Sequence, residues 1–308
     1  MTRFAVLGDY TLDIAIAPQA RRRHGGDVPA WIRLGPGGQA ANVAVRLARM
    51  SGRSSVRLVA PMADDLAGRL LREALAAEGV ELAPLPAARS SAVAIIVDAT
   101  GERTMLSDRQ SLPAAAAAAA LAGADWVHCS GYALLDETGD ALAAALGERP
   151  ASITLSVGGG SVPPEPPRVE RFTARLRTAA PQICLLSRDE AAGMLGRSTP
   201  PPARRAAALL AGLADVVVVT DGARGSAATF GGRTFVAPPN GAVGRVVDAT
   251  GAGDAYAAAT IARLASGGWP PSAARLERAM ASGARLGARV ARVAGAQGRV
   301  TGERRITA

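Results

Sequence analysis

The sequence predicts an α/β protein: a mainly parallel sheet covered by helices on both faces, with a small second sheet. Three observations carry this expectation. From DWVHCSGY onward, short apolar runs alternate with helical stretches, through SITLSV, ICLLS and DVVVVTDG, as βα units in a parallel sheet require. DVVVVTDG is a bounded β-branched run without polar alternation, the mark of a strand buried on both faces. Strand-like segments near residues 13–17, 29–34 and 92–107 fall outside the alternation, so they are assigned to the small separate sheet.

The elements follow in order. FAVLGDY is a short strand ending at a Gly-Asp turn. A helix is expected from about Gln39 to Met50, a strand at VRLVAP, and an amphipathic helix near Leu66–Glu78. SAVAIIVDATGERTML reads as two strands around a turn at 98–101, and the alanine run Ala114–Ala120 as helix. Helices near Leu135–Leu146 and Arg168–Ala179, a shorter one from Asp189, and two long ones over Ala252–Ser266 and Ser272–Val293 complete the chain. The proline clusters SVPPEPP and TPPPARR read as surface loops, and no linker divides residues 1–308 into two domains.

Composition narrows the function classes. Hydrophobic residues make up 49% of the 308 residues and aromatics 3%, so a large core is built from Ala, Val and Leu. The net charge of +9 comes from 35 basic residues, every one of them Arg. The densest run, Arg21-Arg22-Arg23, has no aromatic residues interleaved, which argues against a nucleic-acid footprint. Without lysine there is no phosphate-binding G-x-x-x-x-G-K-[ST] loop and no Lys-centred protein-kinase site. The histidines, His24 and His128, offer little to a triad or metal centre; His128, in a strand, reads as a satisfied core residue. Cys129 and Cys184 sit in apolar runs and read as buried free thiols in a reducing compartment. No signal peptide and no membrane span is read, so a soluble, cytoplasmic protein is expected.

Two glycine-rich segments carry the chemistry. In VVDATGAGDAYAA, residues 246–258, glycines open a helix and Asp254 stands one step inside it. Backbone N–H groups at a helix N-terminus favour an anion, yet an acid there repels a resident one. A phosphoryl group in transit resolves the conflict: the amides stabilise its charge while the acid accepts the proton of the attacking hydroxyl. The competing reading is a helix cap with a first-turn acid favoured by the helix dipole. The second segment, GPGGQAANVAV at 35–45, superficially fits a dinucleotide fingerprint. The preceding strand is the second one and is polar, and no acid closes the next strand, so a hydroxyl-rich small molecule is the better ligand. Asn42, one turn into that helix, offers it an amide donor and acceptor.

Together these segments resemble the signatures of the ribokinase-like (PfkB) carbohydrate kinase family: GGQAANVA the N-terminal one, DATGAGDAYAAA the C-terminal one. VLGDYTLD, the D-D-x-x-G at 64–68, TDGARG at 220–225 and a Gly-Ala turn at 295–296 extend the resemblance along the chain. It implies a ribokinase-like three-layer α/β/α fold with a mainly parallel central sheet and a small β-sheet lid made of segments at about 11–18, 28–36 and 91–108. It further implies ATP-dependent phosphorylation of a primary hydroxyl of a sugar or related polyol. Asp254 would be the general base, and the amides around Gly251, Ala252 and Gly253 the anion hole. Thr11, Asp13, Gly37, Gly38 and Asn42 would bind the acceptor, with Arg109 placed to read an acidic or phosphorylated one. Ser187, Thr220, Gly222 and Gly225 would border ATP. Glu190 would help hold hydrated Mg2+, and Asp248 matches a monovalent-cation (K+) ligand of some members. The lid implies a homodimer. A nucleoside kinase of the same family is the alternative enzyme, and a catalytically weak sugar-binding or regulatory protein the alternative class. Departures from the family pattern are Ser187 in place of Asn in N-x-x-E, Ser156 after the SITL strand, Thr11, the Ser282-Gly283-Ala284 stretch and Arg299.

Overall fold

A computed structural model describes residues 2–21, 24–51, 55–98, 102–160, 165–239 and 246–300. Arg22 and Arg23, residues 99–101 of the expected turn and 161–164 of the first proline cluster lie outside the described residues.

The chain opens with β1 (Phe4–Leu7), then β2 (Thr11–Pro18) and β3 (Ala30–Gly37) of the small sheet, followed by α1 (Gln39–Ser51), β4 (Val56–Met62), α2 (Leu66–Glu78) and β5 (Glu81–Pro86). It returns to the small sheet through β6 (Ser91–Val97) and β7 (Arg103–Asp108). The alternating part runs through α3 (Ala115–Leu121), β8 (Trp126–Cys129), α4 (Gly131–Leu135), α5 (Gly139–Gly147), β9 (Thr154–Gly158), α6 (Pro166–Ala179), β10 (Ile183–Ser187), α7 (Arg188–Met194), α8 (Ala203–Leu209) and β11 (Val216–Thr220). A hairpin, β12 (Ser226–Phe230) and β13 (Arg233–Ala237), precedes α9 (Ala252–Ala265) and α10 (Ala273–Val290).

The large sheet has the order β13-β12-β11-β10-β9-β8-β1-β4-β5, and the small one β3-β2-β6-β7. From β11 to β5 every neighbouring pair is parallel; only the β12–β13 hairpin is antiparallel, including its pairing to β11. Two apolar clusters flank this sheet, one gathering α1, α9 and α10 and the other α3, α5, α6 and α8. That is the three-layer arrangement expected when helices cover both faces of a parallel sheet.

Several expectations are refined. The helix expected near Leu135–Leu146 is two pieces, because its first turn starts at Gly131 and the chain breaks over Asp136–Thr138. β5, α8 and the β12–β13 hairpin are additional; β5 is a half-exposed edge, which leaves no apolar signature. β11 is buried on both faces as expected, with one of its partners antiparallel. Ser156 is a core hydroxyl, 2.9 Å from both Trp126 Nε1 and His128 Nδ1. His128 is buried, and desolvation pushes its pKa down to about 3. Only Nδ1 is partnered, so His128 is half satisfied. Both thiols are buried, and desolvation raises each to about 12. No helix among the described residues is long and apolar enough to cross a membrane.

The small sheet has two unlike faces, because side chains alternate along a strand. In register, Asp13, Ala15, Arg33, Ile95, Val97 and Arg103 share the face toward the large sheet. The opposite parity brings Ile14, Ile16, Ile32, Leu34, Ile96 and Leu106 onto the other face. There Ile32 and Leu106 are 64% and 58% exposed, which leaves that face apolar and open.

Candidate active site

Asp254 occupies the first turn of α9, behind Gly251. Gly251 has φ +76°, and a Cβ there would lie 2.8 Å from Ala296, so glycine is needed both for the turn and for its close seat on the 295–296 turn. The Ala252 N–H turns back to Ala249 O at 3.2 Å, and the Ala255 N–H bonds Gly251 O at 2.9 Å. Between them, the Gly253 and Asp254 amides are first-turn donors that a helix cannot satisfy internally. Nothing stands within 4 Å of where a Gly253 Cβ would be, so the approach to these amides is open.

α1 and α9 are both alanine-rich and pack against each other, and small contact residues let helix axes approach. That brings the Asn42 Nδ2 group to Asp254 Oδ2 at 2.7 Å, while Gln297 Nε2 donates to Asn42 Oδ1 at 3.1 Å. Desolvation pushes the Asp254 pKa up to about 7; Asp9 and Glu190 push the same way, and Asn42 and Arg46 oppose. Arg46, almost wholly buried, fixes the loop carrying Gln297 by donating to Ala296 O at 2.9 Å and Gly298 O at 2.8 Å.

Around this pair lie the C-terminal ends of the central strands, where ligands of parallel sheets bind. Asp9, just after β1, caps α1 by accepting from Gln39 N at 3.2 Å and Ala40 N at 3.4 Å. Gln39 Nε2 crosses to Gly159 O at 2.7 Å, and its Oε1 accepts from Gly131 N at 3.0 Å. Gly38, at φ +98°, has no room for a Cβ, which would lie 2.5 Å from Asp9 O. Thr11 Oγ1 donates to Asp13 Oδ1 at 2.7 Å, and the Asp13 carboxylate lies directly against Gly37. Burial is the largest influence on Asp13 and raises its pKa.

Arg109 is not a solvated surface arginine: its guanidinium stacks 4.4 Å from the Tyr132 ring centroid and its Nε is 3.4 Å from Asp9 Oδ2. Ser187 and Thr220 are neighbours in register at the ends of β10 and β11. Ser187 N-caps α7 in a reciprocal capping box: the Ser187 N–H donates to Glu190 Oε2 at 2.6 Å and the Glu190 N–H to Ser187 Oγ at 3.2 Å. The departure from N-x-x-E therefore keeps a capping side chain. Gly222 and Gly225 have φ +53° and +97° in the turn after β11.

A cleft of about 860 Å³ lies between the small sheet and the loops around α9. Asp13, Arg33 and Arg103 line it from the small sheet; Asp248, Thr250 and Gln297 line it from the opposite side. Asn42 and Asp254 do not form its wall; Gln297, which does, bonds Asn42. Ser187, Thr220, Gly222 and Gly225 are apart from it, at the ends of β10 and β11.

Two metal assignments were tested against this geometry. Among the described residues no cluster of three or more His, Cys, Asp or Glu could cage a metal. That suits Mg2+, which keeps most of its waters and binds through one or two carboxylates plus phosphates. Glu190 fits this role, since the capping box engages Oε2. Asp248 does not fit a monovalent cation. Its Oδ1 accepts from Thr250 N at 2.9 Å, Thr250 Oγ1 at 2.5 Å and Arg103 Nη1 at 3.0 Å, and its Oδ2 from Gly295 N at 2.9 Å. Three donors crowd Oδ1, one of them the Arg103 cation, whose charge repels a second cation there, while Oδ2 keeps one lone-pair direction beside its bond to Gly295 N.

The chain is a phosphotransferase with a ribokinase-like fold. The chain belongs to the pfkB family of carbohydrate kinases, whose model matches residues 1–301. It is 29% identical over 301 residues to a fructokinase from Klebsiella pneumoniae, covering 88% of this chain and 87% of that protein. Its fold is similar to that of phosphofructokinase-2 from Escherichia coli in complex with potassium (20% identity, TM-score 0.75, 98% and 97% of the two chains). It is likewise similar to adenosine kinase from Sinorhizobium meliloti (23% identity, TM-score 0.75, 97% of each chain).

Gln297, Arg46, Gly159 and Arg103 escaped the sequence reading as site residues. None lies in a glycine-rich signature, and their roles come from contacts with residues 31–255 positions away. Asp9 carried a usable signal, as an acid directly after the first strand. Gly283, in the Ser-Gly-Ala stretch, serves packing: a Cβ there would meet Thr260 Oγ1 at 2.5 Å.

Proposed function

We propose that this kinase transfers the terminal phosphoryl group of ATP to a primary hydroxyl of a sugar or related polyol, with Asp254 as general base. The observation that carries the reading is the placement of Asp254, whose carboxyl titrates near 7, beside the unmatched amides of the α9 first turn. A base poised near the working pH is the most effective one. The acceptor hydroxyl approaches Asp254, which takes its proton as the new O–P bond forms and the bond from the γ-phosphorus to the bridging oxygen breaks, releasing ADP. The open amides of Gly253 and Asp254 receive the charge on the transferring group, since the Ala252 N–H of the expected Gly251–Gly253 hole is turned back to Ala249 O.

Asp13, with Thr11 beside it, and the backbone at Gly37 and Gly38 orient the other hydroxyls. Asn42 retains one N–H and one lone pair for the acceptor after its bonds to Asp254 and Gln297. Arg109 stands at the rim, where it reads an anionic substituent when the acceptor carries one. Ser187, Thr220, Gly222 and Gly225 would border the nucleotide, and Glu190 would help hold hydrated Mg2+. When bound, that ion neutralises phosphate charge. The lid excludes water from the transfer.

The lid's outer face supports a two-fold homodimer. Ile16 and Ile32 are paired in register on it, and a second copy of the same apolar sheet is the self-complementary cover a two-fold interface requires. A screen of ATP consumption over sugars, sugar acids, sugar phosphates and nucleosides tests the reading. Turnover with a sugar or polyol is the expected result. Turnover with nucleosides alone favours the nucleoside-kinase alternative, and ligand-dependent melting without turnover favours a binding protein.

A further inference from the structure

The failed fit of a monovalent cation at Asp248 has a counterpart on the lid. Arg103 stands on β7, on the cleft-facing side of the small sheet, and its guanidinium reaches Asp248 Oδ1 at 3.0 Å. Asp248 is three residues before Gly251, the cap of α9, and organises the intervening turn through Thr250. Its other oxygen receives the N–H of Gly295, next to Ala296, on which Gly251 is seated. Arg33, on the cleft side of β3, extends its guanidinium toward the same turn, 3.7 Å from where a Gly295 Cβ would be. Arg103 thus brings positive charge to the Asp248 carboxylate, and Arg33 brings it to the adjoining Gly295 turn.

We propose that Arg103 is a positioning residue for the anion hole, supplying from the lid the positive charge at Asp248, so that this kinase works without a monovalent cation. The inference rests on the proposed phosphotransfer only in its kinetic readout. Charge-assisted hydrogen bonds from a guanidinium are short and directional. The Arg103–Asp248 bond therefore couples the placement of the lid over the cleft to the geometry of the 248–251 turn.

The test compares wild type, Arg103→Gln and Arg103→Lys in potassium chloride and in choline chloride. Ionic strength is held at about 0.1 M, so that screening is the same in every sample. Melting temperature is read without substrate, and ATP consumption with the acceptor found by the screen. Wild type is expected to give the same melting temperature and rate in both salts. In choline, Arg103→Gln loses roughly tenfold in rate, as expected for a lost hydrogen bond to a charged group. Potassium restores that rate and raises the variant's melting temperature by about 2 °C or more, as binding to the native state requires. Arg103→Lys restores cation independence. Potassium activation or stabilisation of wild type overturns the proposal, as does an Arg103→Gln variant indifferent to potassium in both readouts. If no acceptor is turned over, the proposed reaction fails and the melting comparison still decides the role of Arg103. If Arg103→Gln does not fold, wild type and Arg103→Lys decide it: potassium dependence in either overturns the proposal.

Discussion

The Asn42 side-chain amide donates to the Asp254 carboxylate across 212 residues of sequence, at 2.7 Å. This bond favours the ionised acid in a place where burial favours the neutral one. The balance, a carboxyl titrating at about 7, is what a proton acceptor needs near neutral pH.

The first consequence is a pH profile. Only ionised Asp254 accepts a proton, so kcat should rise with pH through about 7 and then level off. Asn42→Ala removes a donor that lowers the pKa, so the midpoint should move upward, by about half a pH unit or more for a loss near 1 kcal/mol. Steady-state rates between pH 5 and 9 read both. A wild-type midpoint near the ordinary aspartate value of 3.8 contradicts the environment described for Asp254.

The same shift predicts a stability effect. Unfolded, Asp254 titrates near 3.8; folded, near 7. Between these values the native state binds more protons than the unfolded one, so its stability falls as pH rises, and the contribution is lost through the folded pKa. Asp254→Asn has no such loss. The variant should therefore melt above wild type at pH 8, with the gap closing toward pH 4. A constant gap across that range in calorimetric scans contradicts the assignment.

Asp13→Ala should weaken the acceptor and leave ATP binding nearly unchanged. Asp13 sits on the cleft face of β2, far along the chain from the turns proposed to border the nucleotide. Leaving a substrate hydroxyl unpaired costs ~1–3 kcal/mol. Equal losses for both ligands by titration calorimetry place Asp13 in the scaffold instead.

Ile16→Asp combined with Ile32→Asp should give monomers, because the two side chains are register partners on the exposed lid face. The acceptor KM and the substrate-free ATPase should rise, since an unbraced lid admits water. Sedimentation of wild type as a monomer at micromolar concentration contradicts the dimer, and unchanged kinetics in the double variant contradict the lid's role.

Much of this molecule was legible in its sequence. The helix at Leu66–Glu78 has the expected bounds because Asp65 caps it through Gly68 N and Gly79 ends it in a left-handed turn. The strand runs at 126–129, 183–187 and 216–220 were set by apolar continuity. The strands of the small sheet were visible as misfits to the alternation. What the sequence did not show depends on side chains meeting from distant elements. The Gln297–Asn42–Asp254 chain and the Arg103–Asp248 pair leave no local pattern, since a Gln or Arg in a loop or edge strand is ordinarily solvated. β5 alternates exposed with half-buried positions, β12 is nearly all buried and β13 is mixed; each has five or six residues, too short for periodicity to separate strand from loop.

Replacing the proposed base tests the account most directly. Asp254→Asn keeps the side-chain volume and an oxygen to accept from Asn42, while removing the ability to take a proton. With the acceptor identified by the screen, kcat should fall by roughly 10²–10⁴, the range for loss of a general base, while ATP affinity is retained. A variant that keeps more than about a tenth of wild-type turnover lies well outside that range and contradicts the assignment of Asp254 as the base.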